Sequence, residues 1–179
     1  MLYDLRSSRI VPETIALKKG RGICTRVGHA FIRQLMRDTN AVFGGELSGH
    51  YYYRDMGFCD NGLLTMVIMI NILARESRAL SDLIRSFDVY GSTGEINIEV
   101  KDFSVVEKAL EKHYAGSGID RLDGLTISCP DWWFNIRSSQ TEPVVRLNIE
   151  TLKKDRIMEK KNEVMEVIRT ADPEMELQE

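Results

Sequence analysis

The sequence is poor in cysteine: Cys24, Cys59 and Cys129 make an odd set with no C-x-x-C pair. That excludes a disulfide framework and a sequence-local zinc-ligand set, and it fits a reducing compartment. Histidine is equally sparse. His29, His50 and His113 stand far apart, so no local metal site is visible. Long hydrophobic runs are missing too. The greasiest stretch, Leu63 to Leu73, is interrupted by Thr65 and Asn71 and is too short to cross a bilayer. The N-terminus, MLYDLRSSRI, lacks the continuous apolar core that a signal peptide needs. These absences predict a cytoplasmic chain with no membrane partner. Positive charge is not in excess either: 24 Lys and Arg stand against 27 Asp and Glu, a formal charge of −3. A nucleic-acid partner would need a basic stripe to displace phosphate counterions, so none is expected. A small phosphorylated ligand needs only a few placed cations and stays in play.

What is present is an ordinary globular balance, 43% apolar and 28% charged over 179 residues, enough for one large domain or two small ones. Short strands are predicted over 2–4 and 23–26, and Val27, Ala30, Phe31 and Leu35 recur at helical spacing over 27–38. Ala41-Val42-Phe43 reads as a buried strand delivering the chain to a glycine-rich loop. Residues 62–75 read as a helix apolar on most sides, expected to sit between layers, with a shorter helix near 80–85. This alternation predicts an α/β three-layer domain over 1–88. Beyond it, Ile96, Ile98 and Val100 alternate with polar residues, and Ser104 with Glu107 suggests a capping box. Further strands are predicted over 125–129, 132–137 and 144–150, and a last helix over 152–169. That pattern predicts an α+β domain over 89–170, an antiparallel sheet flanked by helices, followed by a frayed tail over 171–179.

Two segments carry candidate chemistry. In Gly44-Gly45-Glu46-Leu47-Ser48-Gly49-His50, glycines permit a tight turn that presents a carboxylate, a hydroxyl and an imidazole. A carboxylate can accept hydrogen bonds from two neighbouring sugar hydroxyls. The segment is not a nucleophile elbow, because Glu46 stands where G-x-S-x-G needs glycine. The second segment, Arg137-Ser138-Ser139-Gln140-Thr141-Glu142-Pro143, joins two strands. Its guanidinium fork and hydroxyls suit phosphate, and successive backbone N–H groups can form an anion nest. The aromatic run Tyr51-Tyr52-Tyr53 reads as strand-edge packing, and Trp132 and Trp133 as residues on opposite faces of a strand.

Together the two segments resemble the α-D-phosphohexomutase family, that of phosphomannomutase and phosphoglucomutase. Gly45 to His50 is similar to the G-E-x-S-G-H sugar-recognition loop of that family's third domain. Arg137 to Pro143 is similar to the R-x-S-N/G-T-x-P phosphate loop of its fourth, with Gln140 in the variable place. Asp4-Leu5-Arg6-Ser7-Ser8-Arg9 and Val27-Gly28-His29 extend the resemblance along nearly the whole chain. It implies a TATA-binding-protein-like shape for the second domain, with no DNA binding. It further implies that Glu46 and Ser48 hold sugar hydroxyls with His50 in support, and that Arg137, Ser139, Gln140 and Thr141 hold the phosphate. His29 would stand near the reacting oxygen as a proton carrier. Arg6 would stand near the reacting phosphate, able to stabilise charge but not to shuttle a proton.

The family's T-A-S-H-N-P phosphoserine loop and D-G-D-x-D-R metal loop do not occur in this sequence. The resemblance therefore implies domains three and four of a four-domain mutase, which interconverts hexose 1-phosphate and 6-phosphate through a glucose or mannose 1,6-bisphosphate. Mg²⁺ is expected for the parent enzyme, with no metal ligands here. The partners implied are a hexose phosphate and the N-terminal phosphohexomutase domains, and the chain is expected to be inactive alone. The rival readings are a standalone, non-catalytic sugar-phosphate-binding module and an assembly module.

Overall fold

A computed structural model describes residues 1–139 and 141–178, and the chain divides into two compact units, Met1–Val89 and a second from Tyr90 onward. Gln140, a candidate phosphate-loop residue, lies outside the described residues.

The first unit runs β1 (Leu2–Asp4), α1 (Ile10–Leu17), β2 (Ile23–Thr25), α2 (His29–Thr39), β3 (Phe43–Gly45), β4 (Tyr51–Tyr53), β5 (Cys59–Asp60), α3 (Gly62–Glu76) and α4 (Leu80–Arg85). Its sheet has the order β2-β1-β3-β4-β5. β2 and β3 lie parallel to β1 on either side, and β4 and β5 run antiparallel beyond β3. Period two divides the strand side chains. Tyr52 joins Leu2, Ile32, Met36 and Ala41 in a buried cluster, so α2 packs its Ile32 and Met36 stripe on that sheet face. Phe43 meets Tyr51 and Tyr53 through ring contacts at 6.1 and 5.3 Å. The face bearing Tyr3, Phe43 and Tyr51 opens with α1 onto an apolar cavity of about 480 Å³. β3 includes Gly44 and Gly45, so these glycines belong to the strand and not to the loop. A Cβ on Gly44 would come within 3.1 Å of the Met36 Sδ, so glycine there lets α2 approach the sheet.

One expectation fails here. α3 forms where periodicity placed it, capped by the Asn61 side chain accepting from the Leu64 N–H at 2.9 Å, yet it contains no buried residue. Leu63, Met66, Val67 and Ile70 are all exposed. The absence of a polar face allows burial on every side but does not supply a second layer to receive it.

The second unit runs β6 (Gly91–Glu99), α5 (Phe103–His113), β7 (Gly118–Asp120), β8 (Leu125–Ser128), β9 (Trp132–Ser138), β10 (Val145–Thr151), α6 (Ile157–Ala171) and β11 (Glu176–Gln178). Its six strands pair antiparallel in the order β11-β6-β10-β9-β8-β7. Ile98, Leu125, Ile127, Phe134, Ile136, Leu147 and Ile149 meet Val106 and Leu110 of α5 and Val164, Met165 and Ile168 of α6. Trp132 lies in this core, whereas Trp133 faces the other way and donates its indole N–H to Glu150 at 2.9 Å. The capping box moves: Asp102 is the N-cap, accepting from the Ser104 N–H at 2.8 Å. The last helix starts at Ile157, after a short 3₁₀ turn over Lys154–Arg156. The tail expected to fray instead adds Glu176–Gln178 to the β6 edge, where the ladder satisfies backbone groups of both segments.

These packing contrasts predict opposite responses. Leu147→Ala empties part of a fully buried site and is expected to cost about 3 kcal/mol in urea unfolding. Met66→Glu, on the exposed α3, is expected to change stability by no more than about 0.5 kcal/mol.

Candidate functional site

The three candidate segments of the first unit leave from one edge of its sheet. β1, β2 and β3 are parallel neighbours, so residues 5–9, 26–29 and 46–50 all start at carboxyl ends of strands. That edge is where open α/β sheets bind ligands.

Asp4, with no exposed surface, ends β1 and organises this edge. Its Oδ1 accepts the Arg6 backbone N–H at 2.8 Å. Its Oδ2 accepts the Arg6 Nη2 at 2.7 Å and the Leu47 N–H at 3.0 Å. Arg6 is thus buried against Asp4, while Leu47, Ser48 and His50 are exposed on the loop that Asp4 holds. The loop itself is closed by the Glu46 N–H donating to the His50 carbonyl at 2.9 Å and the Gly49 N–H donating to the Glu46 carbonyl at 3.0 Å.

Glu46 is 6% exposed and has two donors on two different oxygens. The Gly28 N–H reaches Oε1 at 2.9 Å, and the Tyr52 hydroxyl reaches Oε2 at 2.6 Å. Gly28 caps α2 with φ of 126°, a backbone conformation that glycine adopts without strain. A carboxylate is favoured at that helix N-terminus. Burial, with the Glu46 carboxylate beside it, pushes the Tyr52 hydroxyl well above the usual tyrosine range. His29 opens α2, exposed, with its Nε2 3.3 Å from the Arg33 Nη1 and its ring 5.5 Å from the Tyr52 ring. His50 Nδ1 lies 2.7 Å from Asp60 Oδ2, and Asp60 Oδ1 accepts the Tyr51 N–H at 3.0 Å. Partial burial pushes the Asp60 carboxyl up, but the hydrogen bonds from His50 and from the Tyr51 N–H outweigh it and leave it below the usual carboxylate range.

The structure therefore brings Arg6, His29, Glu46, Ser48 and His50 to one sheet edge. The sequence reading did not single out Asp4, Tyr52 or Asp60. Asp4 lay inside a quoted motif. Tyr52 was legible only through period two, which sets it on the opposite face from Tyr51 and Tyr53.

In the second unit the candidate loop joins β9 to β10, a hairpin whose register pairs Arg137 with Arg146. Like charges directly opposite one another are unfavourable. Glu95 offsets them from β6: its Oε2 lies 3.3 Å from Arg137 Nη2 and its Oε1 3.2 Å from Arg146 Nη1. Arg146 also bonds Glu142 at 2.6 Å. Arg137 is 3% exposed. Ser139 Oγ accepts from the backbone N–H groups of Thr141 and Glu142, each at 3.3 Å, which folds the loop on itself. Arg146 and Glu95 were missed from sequence: the hairpin register sets Arg146 opposite Arg137, and Glu95 reaches both from β6.

The chain belongs to the phosphoglucomutase/phosphomannomutase family. Residues 1–90 match its alpha/beta/alpha domain III, and residues 95–167 match its C-terminal domain. A phosphomannomutase of Methanocaldococcus jannaschii is 39% identical over 96% of this chain and 38% of its own length. One from Salmonella typhimurium is 35% identical over 84% of this chain and 34% of its own. A crystal structure of a family protein from Burkholderia thailandensis superposes with a TM-score of 0.82 at 26% identity, covering 98% of this chain and 38% of that one. An Aspergillus fumigatus N-acetylphosphoglucosamine mutase in complex with glucose 1,6-bisphosphate shares the fold, with a TM-score of 0.70 at 14% identity. The chain thus spans little more than a third of the length of these relatives.

Among the described residues no three or more His, Cys, Asp or Glu side chains converge on a point that could hold a metal ion. Nor, among them, is any helix long and apolar enough to cross a membrane.

Two outcomes follow from the site's electrostatics. His50→Ala is expected to raise the Asp60 carboxyl toward its ordinary value, read by carboxyl carbon NMR titration. Because that carboxyl is depressed in the folded chain, it adds stability above the unfolded carboxylate range and loses it as pH falls through the folded value. The variant should therefore show a shallower acid limb in its stability–pH profile. Asp4→Ala removes the carboxylate facing a buried guanidinium and is expected to cost about 3 kcal/mol in urea unfolding.

Proposed function

We propose that this chain is the sugar-phosphate-binding part of a phosphohexomutase, one that interconverts hexose 1-phosphate and 6-phosphate through a glucose or mannose 1,6-bisphosphate. The supporting observation is the convergence of the 46–50 loop, Arg6 and His29 at the carboxyl ends of three parallel strands. Glu46 and Ser48 accept and donate to sugar hydroxyls, with His50 in support. Arg137, Ser139, Gln140 and Thr141 take the phosphate that is not reacting. A phosphate at that loop competes with Glu95 for the guanidinium of Arg137 and enlists Arg146 beside it. His29 carries a proton near the reacting oxygen, and Arg6 stabilises charge near the reacting phosphate. Positioning of this kind supplies much of phosphoryl-transfer catalysis. The reacting phosphoserine and the Mg²⁺ belong to N-terminal phosphohexomutase domains, so this chain binds without turning over. The three cysteines, none of them in a disulfide, support a reducing, cytoplasmic setting.

A second reading, an assembly module, draws on α3, whose exposed Leu63, Met66, Val67 and Ile70 form the kind of surface that meets another protein. Titration with mannose 1-phosphate separates the two. Backbone amide NMR shifts that saturate in residues 44–50 and 137–141 are the expected result. Silence of both loops at millimolar ligand would leave only the assembly reading. Multiple turnovers by the pure chain with Mg²⁺ and a bisphosphate activator would overturn the claim that it is inactive alone.

A further inference from the structure

We propose that Tyr52 is a positioning residue for hexose-phosphate binding, its buried hydroxyl aiming the Glu46 carboxylate so that the outward lone pairs of that group read two neighbouring sugar hydroxyls. This rests on the reading of Glu46 as a sugar contact.

The last torsion of a glutamate side chain is broad and only two-fold, so an untethered carboxylate sweeps its lone pairs over a wide arc. Glu46 is tethered on both oxygens. Oε1 takes the Gly28 N–H at 2.9 Å and Oε2 takes the Tyr52 hydroxyl at 2.6 Å. A carboxylate has about four acceptor positions. Two are used from inside, which leaves one on each oxygen. Two adjacent hydroxyls then meet two acceptors already fixed in place, without the ordering cost that a mobile side chain would add on binding. Hydroxyls 3 and 4 suit this pair, because mannose and glucose share them and neither carries a phosphate.

Tyr52 is suited to the task. It has no exposed surface, and its ring is wedged in the cluster of Leu2, Ile32, Met36 and Ala41, so the hydroxyl has one fixed place. Burial and the adjacent carboxylate hold it protonated through the neutral range, and it stays a donor. Tyr51 and Tyr53, on the other face, have no such role.

The test is calorimetric titration of the whole chain and its Tyr52→Phe variant with mannose 1-phosphate, with the 3,4-dideoxy analogue, and with inorganic phosphate. The variant keeps the ring and loses only the hydroxyl. It is expected to bind mannose 1-phosphate about tenfold more weakly, the loss of one charge-assisted hydrogen bond. Affinity for the dideoxy analogue and for inorganic phosphate should be unchanged. Equal affinity of variant and parent for mannose 1-phosphate overturns the proposal. So does an equal loss for the sugar and its dideoxy analogue, which marks a general structural defect. If the parent chain binds mannose 1-phosphate and its dideoxy analogue equally, the reading of Glu46 itself falls and takes this inference with it. Should Tyr52→Phe not fold, 3-fluorotyrosine at position 52 keeps the packing and alters the acidity of the hydroxyl. A changed ratio between sugar and dideoxy analogue then supports the proposal, and an unchanged ratio overturns it.

Discussion

The buried carboxylate of Asp4 is the constraint on which the carboxyl edge of the first unit's sheet depends. It stands at the end of the central parallel strand and takes donors from two directions, Arg6 two positions on and the Leu47 N–H forty-three positions on. A buried charge is tolerated only when paired and hydrogen-bonded, so the chain after β1 and the chain after β3 must both come to it. That requirement fixes the height at which the 46–50 loop leaves the sheet. Everything exposed on the loop inherits its position from a group that no ligand touches.

Glu46 extends the same logic one step outward. Its Gly28 and Tyr52 bonds tie the loop to the start of α2 and to the middle of β4, so three elements agree on where one carboxylate points. His50 is held more loosely, through Asp60 at the sheet's far strand, and its side chain is 54% exposed. The edge thus grades from fully buried ionic anchoring at Asp4, through a nearly buried acceptor at Glu46, to an accessible imidazole at His50.

Much of this was legible in the residues, and the exceptions have physical causes. Glycine density marked the 44–50 segment, and hydrophobic alternation marked β6 and β8. β7 and β11, three residues each, are too short to show a period, and they exist because neighbouring edges offer unpaired backbone. α1 escaped notice because Pro12 and a short length obscure its pattern, although proline is well accommodated in a helix's first turn. The apolar character of α3 was read correctly and its burial was not, because composition reports what a helix can tolerate and packing partners decide what it gets. The roles of Tyr52 and Glu95 were missed for a different reason. Their importance lies in which carboxylate or guanidinium they reach across strands, and that depends on register.

The two candidate loops also rest on different physics. The Tyr52 and Gly28 donors reach Glu46 with little water present, so added salt screens them weakly. The hairpin loop is organised instead by full charges, with Glu95 shared between Arg137 and Arg146, and Glu142 on a partly exposed Arg146. An arriving dianion can displace carboxylates from guanidinium groups, since it offers the same bidentate geometry with more charge. A sugar hydroxyl cannot displace Tyr52 from Glu46 and has only the lone pairs left over. On the proposed function, phosphate anchoring by ion exchange and sugar recognition by preset acceptors are therefore separable, the first sensitive to ionic strength and the second to the placement of a single buried hydroxyl.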